Sequence, residues 1–171
     1  MATGQSIRRR QSVRRAEGYL ELGMPRHALE TLAPWADPAS LGGRGLYLRG
    51  EALRSLGRHD EAVLWLQHAA EQTPDDIHVL LALGWCYKRT DRVKQAIEVL
   101  NRALEIDADA AIVYYNLACY WSLAGDKRRT LKYLAQAIDM DATYRDYVHD
   151  EPDFDSVRDD PDFRALTGII V

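Results

Sequence analysis

Residues 83–103 read Leu-Gly-Trp-Cys-Tyr-Lys-Arg-Thr-Asp-Arg-Val-Lys-Gln-Ala-Ile-Glu-Val-Leu-Asn-Arg-Ala, and the order of sizes in that stretch decides the fold. A small residue, Gly84, is followed three positions later by a ring, Tyr87, then by a turn residue, Asp91. Ala96, Leu100 and Ala103 then fall at i, i+4 and i+7, one stripe of a second helix. The stretch therefore reads as helix, tight turn, helix.

The same pattern returns at a step of 34 residues, without gaps. The small column is Ala16, Gly50, Gly84, Ala118, and the bulky column is Tyr19, Leu53, Tyr87, Trp121. The turn column is Gly23, Gly57, Asp91, Gly125. The second-helix stripe is Ala28, Ala62, Ala96, Thr130, then Leu32, Leu66, Leu100, Leu134, then Trp35, Ala69, Ala103, Ala137. Small residues let two helices approach, and the bulky ones fill the space beside them. One such hairpin cannot bury its apolar face alone, so stacking is required.

On these residues the sequence resembles the tetratricopeptide repeat family. Leu83-Gly84-x2-Tyr87…Ala96-x3-Leu100-x2-Ala103 is the best match, followed by Gly50…Gly57…Ala62…Leu66-x2-Ala69…Pro74. The resemblance covers about four-fifths of the chain and is specific for fold rather than function. It implies an all-α, right-handed solenoid of about four repeats, at 9–42, 43–76, 77–110 and 111–144. Residues 1–8 are expected to be a flexible arm and 145–171 a capping segment.

Three departures stand out. Arg15 and Arg49 occupy a column that is Leu83 and Leu117 elsewhere, Pro34 interrupts the second helix of the first repeat, and Pro38–Gly45 reads as a flexible glycine-rich loop. Beyond Ala142, Tyr144, Tyr147 and Val148 predict a short helix that Pro152 ends. Pro152-Asp153-Phe154 then recurs as Pro161-Asp162-Phe163, predicting two helical turns whose Phe154, Val157, Phe163 and Leu166 plug the stack. This tail is similar to one that closes bacterial tetratricopeptide proteins, which implies a bacterial source. The apolar end, Gly168-Ile169-Ile170-Val171, is read as packing on the cap or inserting into a neighbouring molecule.

Composition is that of a globular chain of 171 residues, 47% hydrophobic and 28% charged, with formal net charge −4. No run is apolar and long enough to span a membrane. The N-terminus lacks the apolar core of a secretory signal; its arginines and serines without an acid before Glu17 faintly resemble a transit peptide, but with repeats that start so early no removable leader is expected. Two cysteines without metal spacing, Cys86 and Cys119, suit a reducing compartment, so the expected location is cytoplasmic. Charge is uneven: residues 1–22 hold five arginines against two glutamates, and residues 139–171 hold ten acids against three arginines. Solvated ends are the plain reading; attraction to an acidic partner, or to the opposite end of a second copy, is the sharper one.

Catalytic signatures are missing: there is no Gly-x-Ser-x-Gly, phosphate-cradling glycine loop or His-Glu-x2-His. Asp153-x-Asp155 is too short for a calcium loop. His59 reads as a solvated turn residue and Cys119 as an accessible thiol without a feature to activate it. No enzyme, metal or cofactor is expected.

A partner surface follows from helix geometry. With the small column as position 8, positions 4, 7, 8 and 11 form the core stripe, and positions 2, 5, 9 and 12 centre about 130° away. The resemblance implies that this second face lines a concave peptide-binding groove. It comprises Arg10, Val13, Glu17 and Leu20, then Arg44, Tyr47, Glu51 and Arg54. It continues with His78, Leu81, Trp85 and Lys88, then Ile112, Tyr115, Cys119 and Ser122. Arg89 and Asn116 lie beside it. The candidate peptide-binding residues are therefore Tyr47, Glu51, Arg54, His78, Leu81, Trp85, Lys88, Arg89, Ile112, Tyr115, Asn116 and Cys119. Tyr47, Trp85 and Tyr115 either anchor a ligand or pack between neighbouring first helices.

The clamp by which one subclass grips a chaperone's C-terminal carboxylate is not matched. Val13, Glu17, Leu48, His78 and Ala82 stand at its positions in one register. Tyr47, Glu51, Ala82, Ile112 and Asn116 stand there in the other. The expected function is a protein-interaction module or assembly adaptor. The alternatives are a chaperone for an apolar client segment or a nucleic-acid-associated protein using Arg8–Arg10, Arg14 and Arg15.

Overall fold

Each turn of the 34-residue pattern closes with a left-handed residue. Gly23, Gly57 and Gly125 have φ of 69°, 74° and 75°, and Asp91 adopts 59°. Glycine loses nothing there, and Asp is among the few other residues that tolerate the region. In three of the turns the amide after the glycine reaches back to the bulky column: Met24 N to Tyr19 O at 2.7 Å, Arg58 N to Leu53 O at 2.9 Å and Asp126 N to Trp121 O at 3.0 Å. These six-to-one bonds satisfy carbonyls that the end of the first helix leaves open.

The computed structural model describes residues 2–168. Among them every regular element is helical, and they fall into two compact units, residues 1–90 and 91–171. The first contains α1 (Ala2–Glu21), α2 (Pro25–Leu32), α3 (Pro38–Leu41), α4 (Gly43–Ser55), α5 (His59–Gln72) and α6 (Ile77–Arg89). The second contains α7 (Val93–Ile106), α8 (Ala111–Leu123), α9 (Lys127–Met140), α10 (Tyr144–Tyr147), a 3-10 turn (Pro152–Phe154) and α11 (Pro161–Thr167). The unit boundary passes through the turn of the third repeat. The all-α class stands.

Burial follows the columns. Ala28, Ala62, Ala96, Thr130, Leu32, Leu66, Leu100, Leu134, Ala69, Ala103 and Ala137 are all at 0% exposure. Gly50 shows why its column is small: a Cβ there would lie 2.5 Å from Leu66 Cγ and 2.6 Å from Leu66 Cδ2.

Several local expectations need correction. Residues 2–8 are the first turns of α1 rather than an arm. Pro38–Gly45 is not a loop: the Asp37 carboxylate accepts from the Ala39 amide at 3.0 Å and caps α3, whose proline suits a first turn, and α4 starts at Gly43. Arg15 is exposed on α1 and so needs no core partner. The Arg49 guanidinium carbon stands over Trp65, 3.9 Å from the ring centroid, and the group donates to the Leu32 and Trp35 carbonyls at 3.4 and 3.2 Å. Its guanidinium therefore closes the C-terminal end of α2, where carbonyls lack helical partners. Packing lowers the Arg49 pKa, with Arg58 adding to the effect.

The repeated Pro-Asp-Phe starts the 3-10 turn and α11, but of the expected apolar residues Leu166 is only half-buried and Tyr147 is exposed. Glu151 caps the 3-10 turn through the Asp153 amide at 3.1 Å, and Asp160 caps α11 through Asp162 and Phe163 at 2.9 and 3.4 Å. Phe154 and Phe163 are fully buried with ring centroids 5.4 Å apart, and Val148 is fully buried beside α10. Of the apolar end, only Gly168 is described; it closes α11 at φ 71°. The reading of residues 169–171 lies outside the described residues.

Candidate partner-binding face

In the first unit, α1, α4 and α6 place positions 2, 5, 9 and 12 of three repeats on one surface. Its side chains are linked across helices. Glu17 of α1 accepts from Arg44 of α4, and the Arg44 guanidinium stands 5.3 Å from the Tyr47 ring centroid. Further along α4, Arg54 grips Glu51 with two bonds of 2.8 and 2.7 Å. The same guanidinium lies 5.1 Å from the Trp85 centroid on α6. Glu17, Leu20, Arg44, Tyr47, Glu51 and Arg54 wall a cleft of about 340 Å³.

Trp85 is the focus. It is half-buried, with Arg54 on one side and Arg89 at 5.7 Å, and the His59 ring meets it edge-on at 5.1 Å. Three cationic or polar groups around one indole form a positive, partly apolar patch. Leu81, one turn earlier on α6, is half-buried on the same face, while His78 and Arg89 are exposed. Lys88 is half-buried. Burial raises the Tyr47 pKa, with Glu51 adding to it, and the bond to Glu51 raises that of Arg54.

His59 was not legible as part of this face. It starts α5, and position counting along first helices passes over it. The structure corrects its reading as a solvated turn residue: its Nδ1 is shielded and has no partner among the described residues. Burial lowers its pKa first, then Arg89 and Arg54.

The fourth repeat behaves differently. Tyr115 is only 7% exposed, stacked on Tyr144 at 4.8 Å and met edge-on by Tyr147 at 6.5 Å and Phe154 at 5.9 Å. Cys119 is 2% exposed, which corrects its reading as an accessible thiol. Ser122 meets Ser156 Oγ to Oγ at 3.1 Å. The chain's own capping segment therefore covers the positions that α8 was expected to offer a partner. Ile112 remains 39% exposed and Asn116 half-buried. Tyr115 is pushed well above the ordinary phenol range by burial, and the Cys86 thiol of α6 is pushed up to about 12 by burial.

Cys119, Glu151 and Asp153 bring one donor atom each within 4.8 Å of one another. Glu151 is engaged as the cap of the 3-10 turn and Cys119 is buried, so the trio belongs to the packing of the capping segment.

The tetratricopeptide repeat profile matches residues 53–118, the segment that contains α5–α7, the last turn of α4 and most of α8. Residues 53–118 carry the tetratricopeptide repeat pattern. The fold is accordingly that of a protein–protein interaction module, and such repeats serve in general as scaffolds rather than enzymes. The human tetratricopeptide repeat protein 7B is 23% identical over 75% of this chain, which spans only 15% of that protein's length. MamA superposes with a TM-score of 0.73 at 19% identity, covering 81% of each chain. YrrB, a TPR protein with an unusual peptide-binding site, gives 0.71 at 21% identity over 78% of this chain and 69% of its own. At these identities the likeness speaks for the fold. No helix among the described residues is long and apolar enough to cross a membrane.

Proposed function

We propose that the α1–α4–α6 face of the first unit binds a peptide segment with an apolar or aromatic anchor flanked by acidic groups. The observation that carries this reading is Trp85: a half-buried indole beside Leu81, with guanidinium groups 5.1 and 5.7 Å from its centroid. The anchor packs on Trp85, Leu81 and Tyr47, and its acidic flank meets Arg89. Aromatic and arginine side chains are the residue types that dominate binding energy at interfaces. The partner is held as an adaptor holds an assembly component, and the carboxylate clamp plays no part.

Selection from a displayed peptide library tests this. Wild-type protein should enrich peptides with an aromatic or large aliphatic residue next to Asp or Glu. Trp85→Ala with Tyr47→Ala should weaken the selected peptides by at least about tenfold, a loss of about 1.4 kcal/mol or more. The helical signal and melting temperature of the variant should stay close to wild type. Selected peptides that bind the double variant equally well would refute the assignment.

A further inference from the structure

Arg8 and Arg15 of α1 lie on a surface that turns away from the proposed peptide face, and Arg14 stands at the border of the two. Arg15 and Glu17 are two residues apart and so point about 200° apart around the helix. Arg8 and Arg15, seven residues apart, lie on one stripe. Together with Arg14 they wall a cleft of about 670 Å³ whose other side is Pro34 and Trp35. All three arginines are exposed, and none has a side-chain partner among the described residues. Trp35 is half-buried, and its indole N–H finds no acceptor among the described residues. Uncompensated cations around an aromatic wall select an anionic partner that carries a ring or an aliphatic group.

The second unit carries that chemistry on its own surface. Asp139, Asp146 and Asp150 are exposed and have no side-chain partner among the described residues, and Tyr147, between Asp146 and Asp150 in the sequence, is 60% exposed. The acids around it are in large excess: residues 139–168 hold ten acids against three arginines. The other acids of this segment mostly work internally. Asp155 and Asp159 pair with Arg158 and Arg164, and Asp160 and Asp162 with Lys127. What is left over in the second unit is an exposed ring and three carboxylates without a side-chain partner among the described residues, opposite in charge to the three guanidinium groups of the first unit.

We infer that the arginine cleft of one copy docks the Tyr147 surface of a second copy. The contact joins two different patches, so every copy offers one of each, and association continues head to tail into rings or open chains rather than stopping at a symmetric dimer. Nucleic acid is the competing anion for a basic helix. It is disfavoured because no aromatic residue is interleaved among residues 8–15 and the chain is acidic overall, at −4.

Sedimentation velocity on the full chain tests the inference, from micromolar to hundreds of micromolar protein, at about 0.02 M and about 0.5 M salt. The wild type should pass beyond dimer as concentration rises at low salt and return to monomer at high salt. R8E/R14E/R15E and D139K/D146K/D150K should each stay monomeric at concentrations at least tenfold above those at which the wild type assembles. Mixed together, they should assemble again, since the reversed ends complement each other. Circular dichroism melts establish that both variants are folded. A wild type that stays monomeric, a reversed variant that still assembles, or a folded mixture that does not assemble overturns the inference. A monomer that instead retards an oligonucleotide through the same arginines assigns the cleft to nucleic acid.

Discussion

Replacing Gly50 with alanine sets two effects of known sign against each other. Alanine in the interior of α4 gains about 0.5–1 kcal/mol over glycine from backbone entropy. Against this, the new methyl would stand 2.5 Å from Leu66 Cγ and 2.6 Å from Leu66 Cδ2, far inside contact distance. Leu66 cannot swing aside, because it is fully buried between other core residues. Overpacking of this kind costs about 1–3 kcal/mol. The balance is a net loss of up to about 2.5 kcal/mol. The assay is urea unfolding followed by far-ultraviolet circular dichroism, with the slope checked for change. Gly18→Ala is the control: it lies within α1, where an added Cβ meets nothing within 4 Å, and it should show the gain alone. A second check is coupling. Leu66→Ala should cost less in the Gly50→Ala background than in wild type, since the new methyl occupies part of the space vacated. Gly50→Ala as stable as Gly18→Ala would refute the claim that close helix approach sets the small column.

Two further outcomes follow from the site. His59 has a folded pKa below its ordinary value of about 6.5, so on acidification the unfolded chain takes up its proton first; stability is full above about pH 6.5 and falls as pH drops below it. His59→Gln should flatten that slope, and an NMR titration should place the His59 midpoint below the ordinary imidazole value of about 6.5; a midpoint at or above that value refutes the reading. A thiol reagent should modify neither Cys86 nor Cys119 rapidly in the native protein, and Phe154→Ala should speed labelling of Cys119 by loosening the segment above it while leaving Cys86 slow.

The repeats were legible because each constraint recurs every 34 residues. A turn glycine, a small residue and an Ala-x3-Leu stripe are local demands, and four copies in register leave no other helical reading. Single events were harder to see. Arg49 looked misplaced because its partners, Trp65 and the end of α2, are set by packing and not by spacing. The glycines at 42, 43 and 45 suggested a loop, yet Asp37 caps a helix there, and Gly45 is small because a Cβ would strike Leu41 at 2.6 Å. On the candidate face, counting positions located Tyr47, Glu51, Arg54 and Trp85. It failed for Tyr115 and Cys119, because nothing periodic announces that Tyr144 and Phe154 will fold back over them.

The segment 141–168 fastens to α8 and α9 through Tyr115, Ser122 and Lys127, all of them at positions that any repeat of this length can supply. It is thus a detachable stopper. Spliced behind a different array whose final repeat carries Tyr, Ser and Lys at those places, it should seal that array as it seals this one. An extra 34-residue unit inserted ahead of it would lengthen the protein without redesigning its end.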